Sequence, residues 1–333
     1  MNKFVFTCGD INGIGPEIVQ KTLNRISGAG NAKVYYMCPA EVFERVSERI
    51  PPEFPFEVLN TIPDSGSRRK ALVEIINIKE DGSIQEPGKP SATSGRVSFR
   101  AIKGSFEIAS RGLAEAIITA PISKEALGMA KIDFPGHTEM YAEWSRVKDF
   151  VMMFYSKKMK CALVTIHEPI KRVPKLITAE SVQRTLKVVI SSLKHDFNIV
   201  SPKVAVLGLN PHAGENGRIG REELEVITPA IKTSGFSELV SGPFVPDAFF
   251  ANRIYTKYDI VIGMYHDQVL IPFKFLNFTS GVNFTAGLPV VRTSPDHGTA
   301  FDIAGRYVAD ESSILQAFLL ARRIVQNRKR QNG

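Results

Sequence analysis

Three observations predict an α/β fold of two lobes for this chain. Its 333 residues exceed what one hydrophobic core usually organises. It opens with an apolar stretch, Lys3–Cys8, that turns at Gly9-Asp10 and runs on as INGIGPEIVQKTL; strand, glycine-rich turn and helix in that order begin α/β proteins. Short apolar runs followed by helical patterns then recur along the chain, which is the alternation of a largely parallel sheet.

In Lys3–Cys8, β-branched and aromatic residues read as a buried strand. Pro16 suits the first turn of the helix that follows, and Glu17 suits its positive N-terminal end. Asp10 and Asn12 between them read as turn chemistry. Ala32–Cys38 is a second strand, with a helix from Pro39; Phe56–Leu59 and Ala71–Ile78 are further strands. Gly88–Ser94 is a polar loop, Gly95–Ala109 a helix, and Ala116–Thr119 a short strand entering TAPISKEALG. That places a helix start beyond a strand's carboxyl end, where α/β proteins hold ligands, with Lys124 facing either a phosphate or solvent. Phe150–Tyr155 and Cys161–Ile166 pair across a basic turn, Ala179–Leu193 is an amphipathic helix, and Lys203–Leu207 and Asp259–Met264 are strands. Four glycines punctuate Tyr265–Gly305, which therefore reads as turns between short strands. A last helix covers Glu311–Gln326.

Composition narrows the function classes. Apolar content of 44% and charged content of 23% are those of an ordinary soluble enzyme. No apolar run approaches a bilayer span, the amino terminus lacks a signal-peptide core, and Cys8, Cys38 and Cys161 form no CxxC; a reducing cytoplasm is expected, with no membrane partner. The net charge of +8 raises nucleic-acid binding as an option. Its basic clusters are short and not interleaved with aromatics, so surface charge that attracts anionic metabolites, with no nucleic acid, is the better reading.

The chemistry-bearing residues sit at strand ends. His167, His212 and His266 each follow an apolar strand closely, and parallel strands end on one edge of a sheet, so the three can converge there. Three imidazoles with an open position suit a divalent metal, zinc foremost; hydrogen-bonding or core histidines are the alternative. His137 and Thr138, after Gly136, start a helix whose free N–H groups suit an anion, a structural histidine being the other option. Lys274 and Arg292 are cations within apolar sequence, where an anionic ligand explains them better than packing. Asp247 in GPFVPDAFF is either a proton acceptor that also orients a histidine or a helix cap. A metallohydrolase using Glu139 or Asp267 as base is a rival reading that needs no dinucleotide.

Six motifs carry a resemblance. GDINGIGPE at Gly9–Glu17 corresponds to GDPAGIGPE, and TAPISKEAL at Thr119–Leu127 to TAPINKEAL. PGHTE at Pro135–Glu139, GLNPHAGE at Gly208–Glu215, YHDQ at Tyr265–Gln268 and the run Gly281–Gly305 complete the set. Nearly end to end, the chain resembles the 4-hydroxythreonine-4-phosphate dehydrogenase family of pyridoxal phosphate biosynthesis. The departures are Ile11 and Asn12 for Pro-Ala, Ser123 for Asn, and Val269 for a usual Gly; they bear on which four-carbon acid phosphate is the substrate, threonate or erythronate 4-phosphate being the alternatives.

The resemblance implies a two-lobed α/β/α fold like isocitrate and isopropylmalate dehydrogenases, with the active-site cleft between lobes. One lobe is expected at 1–128 and 297–333. The other, at 129–296, is expected to carry the metal and substrate site and a homodimer interface. The resemblance assigns the divalent metal (Zn, Mg or Co) to His167, His212 and His266, one of them from the partner subunit. Substrate falls to His137, Thr138, Lys274, Asn283 and Arg292, with Asp247 and Lys274 in catalytic roles. His297, Gly298, Thr299, Ala300, Asp302 and Gly305 match the loop that holds the adenosine half of NAD(P) in isopropylmalate dehydrogenases. The implied reaction is NAD-dependent oxidation at C3 of 4-phosphooxy-L-threonine followed by decarboxylation.

Overall fold

The computed structural model describes residues 1–27, 32–64, 71–80, 86–277 and 279–332. They fall into two compact units, Met1–Ser145 with Pro289–Val325, and Arg146–Leu288 with Gln326–Gly333. The boundaries differ from those expected at 128 and 297. Residues 129–145, which include His137 and Thr138, and residues 289–296, which include Arg292, belong with the first unit, and the chain from 326 belongs with the second.

Six strands form the sheet of the first unit. They are β1 (Asn2–Thr7), β2 (Ala32–Cys38), β3 (Phe56–Leu59), β4 (Val73–Asn77), β5 (Ala116–Thr119) and β12 (Val291–Pro295), in the order β3-β4-β2-β1-β5-β12 with every pairing parallel. Burial of Phe4–Thr7 in β1 and of all of β5 explains their apolar runs, because helices cover a parallel sheet. Helix α1 (Gly15–Ser27) follows β1, and α2 (Ala40–Arg49) follows β2. Helix α3 (Ala92–Ser110) packs on β1, β2 and β5. It starts at Ala92 rather than Gly95, because Ser91 and Ser94 form a reciprocal capping box. Phe4 and Phe6 meet Phe318 of the carboxyl-terminal helix Ser312–Asn332, which seals the core.

The second unit has strands β6 (Val151–Tyr155), β7 (Lys160–Leu163), β8 (Val204–Leu207), β9 (Val240–Phe244), β10 (Ile260–Gly263) and β11 (Val282–Ala286), ordered β11-β6-β7-β10-β8-β9. The β11-β6-β7 edge is antiparallel, and β7, β10, β8 and β9 run parallel. One expectation fails in this unit. His266–Asn277 is a twelve-residue helix, not turns between strands. Asp267 favours its N-terminus, and Val269, Leu270 and Phe273 recur at helical spacing and are buried, which outweighs the interior Pro272. Among the described residues no helix is long and apolar enough to cross a membrane. All three cysteines are buried free thiols.

Candidate active site

In the first unit, a buried cation stands at the junction of β5 and β12. Arg292, 2% exposed, faces Ile117 in register, and its Nε and Nη2 donate to Oγ1 of Thr119 at 3.1 and 2.7 Å. Loss of solvent lowers its pKa to about 10, partly offset by Tyr141 and Glu139. The guanidinium therefore stays charged at neutral pH inside a weakly screening environment. Helix α4 (His137–Trp144) lies beside it. Trp144 packs with Phe99, Phe106, Phe134 and Tyr141, and Tyr141 shares a 2.7 Å hydrogen bond with Ser105 of α3; these contacts set the position of the helix. At its first turn Thr138 is buried, and His137 Nε2 is out of solvent with no hydrogen-bond partner among the described residues. Burial, and then the charge of Arg292, hold His137 well below its usual pKa, so the imidazole is neutral.

Three loops of the same unit pack together. Gly9–Gly15 lies against Thr299, with Ile14 N–H donating to Thr299 O at 3.0 Å; a Cβ at Gly13 would stand 2.8 Å from that oxygen. Residues 86–91 lie against Phe301 and Gly305. Beyond them, Glu17 accepts the Ala309 N–H at 2.7 Å, and Lys21 donates to the carbonyls of Tyr307 and Ala309. In this braced segment His297, Gly298, Asp302 and Gly305 are exposed, while Thr299 and Ala300 are half-buried. A Cβ at Gly298 would meet nothing within 4 Å. At the centre of the cluster Asp10 is fully buried. Its carboxyl accepts from Asn12 N–H and the Ser94 hydroxyl, and burial raises its pKa to about 6.

In the second unit, β7, β10 and β8 are parallel neighbours, so His167, His266 and His212 all emerge from one sheet edge. The structure brings His167 and His266 together, with ring centroids 5.6 Å apart. Two imidazoles bonded to one zinc at about 2.0–2.1 Å place their ring centres roughly 5 Å apart, so this pair fits two ligands of one ion. Asp267 Oδ1 lies 2.7 Å from His266 Nδ1. A carboxylate only accepts, which puts the proton on Nδ1 and leaves Nε2 as the donor atom for a metal. His212 does not join them. With Asp247, Asn210, Tyr265 and Gln268 it lines a cavity of about 280 Å³. Among the described residues, no three His, Cys, Asp or Glu side chains are grouped to hold a metal ion.

The His212 loop has unusual backbone. His212, Ala213, Gly214, Glu215 and Asn216 all have φ between 44° and 79°. The loop is braced from outside: Glu223, 3% exposed, accepts the N–H groups of Leu209 and Asn210 at 2.7 Å each, and Gln268 ties Gly208 O to Met264 N–H. Asp247 is no helix cap. It is the second residue of helix Pro246–Ala251, whose cap is Val245, and it is exposed to the cavity. Lys274 is also not a buried cation; it lies on the exposed face of the helix from His266, beside Phe275 at 89% exposure. Asn283 on β11 is half-buried, and its Oδ1 is buried with no hydrogen-bond partner among the described residues.

Sequence reasoning missed Thr119, Tyr141, Glu223 and Gln268. Thr119 ends a strand in a quoted motif, which was a usable signal. That β12 would be its neighbour had no local signature. Val269 fills core space against Gly263, where a Cβ would come 2.6 Å from its Cγ1.

A family model for the pyridoxal phosphate biosynthetic protein PdxA matches residues 30–321. The 4-hydroxythreonine-4-phosphate dehydrogenase of Prosthecochloris aestuarii is 39% identical over 333 residues, 98% of each chain. The D-threonate 4-phosphate dehydrogenase of Salmonella typhimurium is 38% identical over 320 residues, 95% of this chain and 96% of that one. The crystal structure of 4-hydroxythreonine-4-phosphate dehydrogenase from Klebsiella pneumoniae superposes with a TM-score of 0.83 at 34% identity, covering 98% of this chain and all of that one. Isocitrate dehydrogenase from Methylococcus capsulatus shares the fold alone, with a TM-score of 0.52 at 12% identity over 99% of this chain and 87% of its own. The fold is thus the mixed α/β architecture of that dehydrogenase class. Within it, the chain belongs to the PdxA family, a family of dehydrogenases.

Proposed function

We propose that the chain is an NAD(P)-dependent, divalent-metal-dependent dehydrogenase. It oxidises and decarboxylates 4-phosphooxy-L-threonine to 3-amino-2-oxopropyl phosphate, carbon dioxide and NADH, a step of pyridoxal 5'-phosphate (vitamin B6) synthesis in the cytoplasm. The observation that carries this reading is the buried, charged Arg292 fixed on Thr119 close to a neutral His137. A cation held out of water on a rigid strand is a preformed receptor for a phosphate or carboxylate.

The chain's own residues take these roles. Arg292 offers its guanidinium charge to an anionic end of the substrate, and a planar fork can match two oxygens at once. His137, neutral, presents Nε2 to a substrate hydrogen-bond group, and Thr138 adds a hydroxyl. In the second unit Asn283 Oδ1 accepts from a substrate amine or hydroxyl, and Lys274 supplies an exposed positive charge. Asp247, in the same cavity as His212, accepts a proton or orients that imidazole. His167, His212 and His266 would hold the metal, zinc, magnesium or cobalt. The pairing of His167 with His266, and the separation of His212 from both, favours a site completed by a second subunit in a homodimer. The exposed segment His297–Gly305, braced from behind, fits the adenosine half of the dinucleotide. When bound, the cation supplies Lewis acidity toward the C3 hydroxyl and the enolate left by decarboxylation, and the dinucleotide takes the hydride.

The runner-up substrate is threonate or erythronate 4-phosphate. It is favoured by the 38% identical relative named for D-threonate 4-phosphate and by the departures at Ile11, Asn12, Ser123 and Val269. A panel of these acid phosphates with NAD or NADP and added Zn, Mg or Co, followed by nicotinamide reduction, decides. Fastest metal-dependent reduction with 4-phosphooxy-L-threonine is expected. Preference for threonate 4-phosphate would move the chain to the second substrate, and no reduction with any would end the dehydrogenase reading.

A further inference from the structure

The family motif GDPAGIGPE has alanine where this chain has Asn12, and the structure shows what the asparagine does. Its side chain is 1% exposed and bonded at both ends. Oδ1 accepts Glu86 N–H at 2.9 Å, and Nδ2 donates to Lys89 O at 2.7 Å and to Ser91 Oγ at 3.4 Å. Its backbone carbonyl accepts Gly88 N–H at 2.8 Å. One residue therefore fastens the segment 86–91 at four residues, and only the carbonyl contact to Gly88 would survive with alanine. Asn12 is itself fixed, because its N–H donates to the buried carboxylate of Asp10 at 2.9 Å.

The fastened segment reaches the exposed loop. A Cβ on Gly305 would meet Pro87 Cβ at 2.8 Å, and one on Gly88 would meet Phe301 O at 3.1 Å. Ile14, two residues after Asn12, donates its N–H to Thr299 O. Loop 299–305 is thus braced by the turn that carries Asn12 and by the segment that Asn12 holds. Ala300 stands at φ 44° within it, a left-handed conformation that a residue with a Cβ keeps only through outside contacts.

We propose that Asn12 is a positioning residue for the dinucleotide: its carboxamide clamps 86–91 against 299–305, so that the loop is ordered before the cofactor arrives. The inference rests on the reading of His297–Gly305 as the adenosine loop. Order established in the free protein reduces the entropy lost on binding, so the clamp strengthens dinucleotide binding without touching the dinucleotide.

The test is Asn12→Ala, a residue that the family motif itself carries. NADH and NADPH binding is followed by fluorescence titration, KM is measured for dinucleotide and acid phosphate separately, and amide exchange is measured by peptide. The expected result is a three- to tenfold rise in the dinucleotide Kd and KM, no change in the KM for the acid phosphate, and faster exchange confined to 86–91 and 299–305. Faster exchange with an unchanged dinucleotide Kd overturns the coupling. A uniform rise in both KM values with exchange accelerated throughout the first unit overturns it too, by making Asn12 merely structural. Wild-type protein that binds neither NADH nor NADPH would overturn the adenosine-loop reading and this inference with it, whereas an Asn12→Ala protein identical to wild type removes the inference alone.

Discussion

Two glycine-rich loops, each following a parallel strand, solve opposite problems. Gly9–Gly15 after β1 is buried throughout, and only Gly9 within it has positive φ. Its polar groups are consumed internally by Asp10, Asn12, Ser94 and the neighbouring loops. The loop after β8 carries five consecutive left-handed residues and leaves His212 exposed. Left-handed backbone costs about 1–2 kcal/mol for each residue with a Cβ, so this loop depends on outside support such as the Glu223 brace. The first loop is a finished support, and the second leaves an imidazole exposed. The comparison teaches that glycine content alone does not mark a binding loop; what separates the two is where their hydrogen-bonding groups end.

The comparison breaks most visibly at His212. If that loop exists to present a metal ligand, His212→Ala lowers turnover roughly a hundredfold or more and leaves the thermal unfolding of metal-free protein unchanged. Turnover in added zinc, magnesium or cobalt, beside thermal unfolding with and without the metal, checks it. Full activity in the variant would return His212 to a structural role.

A smaller effect belongs to the first unit. Arg292→Lys keeps the charge but removes the fork on Thr119 and on the substrate anion. The KM for the acid phosphate should rise by about one charge-assisted hydrogen bond, roughly 1.5–3 kcal/mol, with NADH affinity unchanged. Normal substrate affinity with weakened NADH binding would instead place Arg292 at the dinucleotide.

The smallest change tests whether the first loop is closed to solvent. Asp10 has its pKa raised from 3.8 to about 6 by burial. The folded protein therefore holds this proton more tightly than the unfolded chain. The stability that results is fully present below about pH 4 and is lost as pH rises through 6. In Asp10→Asn the amide stands for the protonated acid, so the variant should gain on wild type between pH 4 and 7 by at most about 3 kcal/mol, a few degrees in Tm. A difference flat in pH would mean that Asp10 is solvated and the loop open.

Much of the architecture was legible locally. Phe56–Leu59 and Ala116–Thr119 are strands over the expected residues, His137 opens its helix, and His167, His212 and His266 do follow parallel strands. Apolar periodicity and turn residues act within a few positions, so a short window of sequence contains them. The four glycines of Tyr265–Gly305 misled because all of them lie beyond the helix His266–Asn277, and the buried face that holds that helix is a property of the partner elements.

By itself the sequence determined the α/β class, the motifs of the PdxA family and the residue types that do chemistry. Only the tertiary structure decided which of them meet. It put β12 beside β5 and so seated Arg292 on Thr119, paired His167 with His266 while holding His212 apart, left Lys274 in solvent, and turned Asn12 from a turn residue into a tie between loops. The physical reason is range. Strand order and side-chain burial come from contacts between residues far apart in the chain, and no local pattern records which distant partner excludes water from a given side chain.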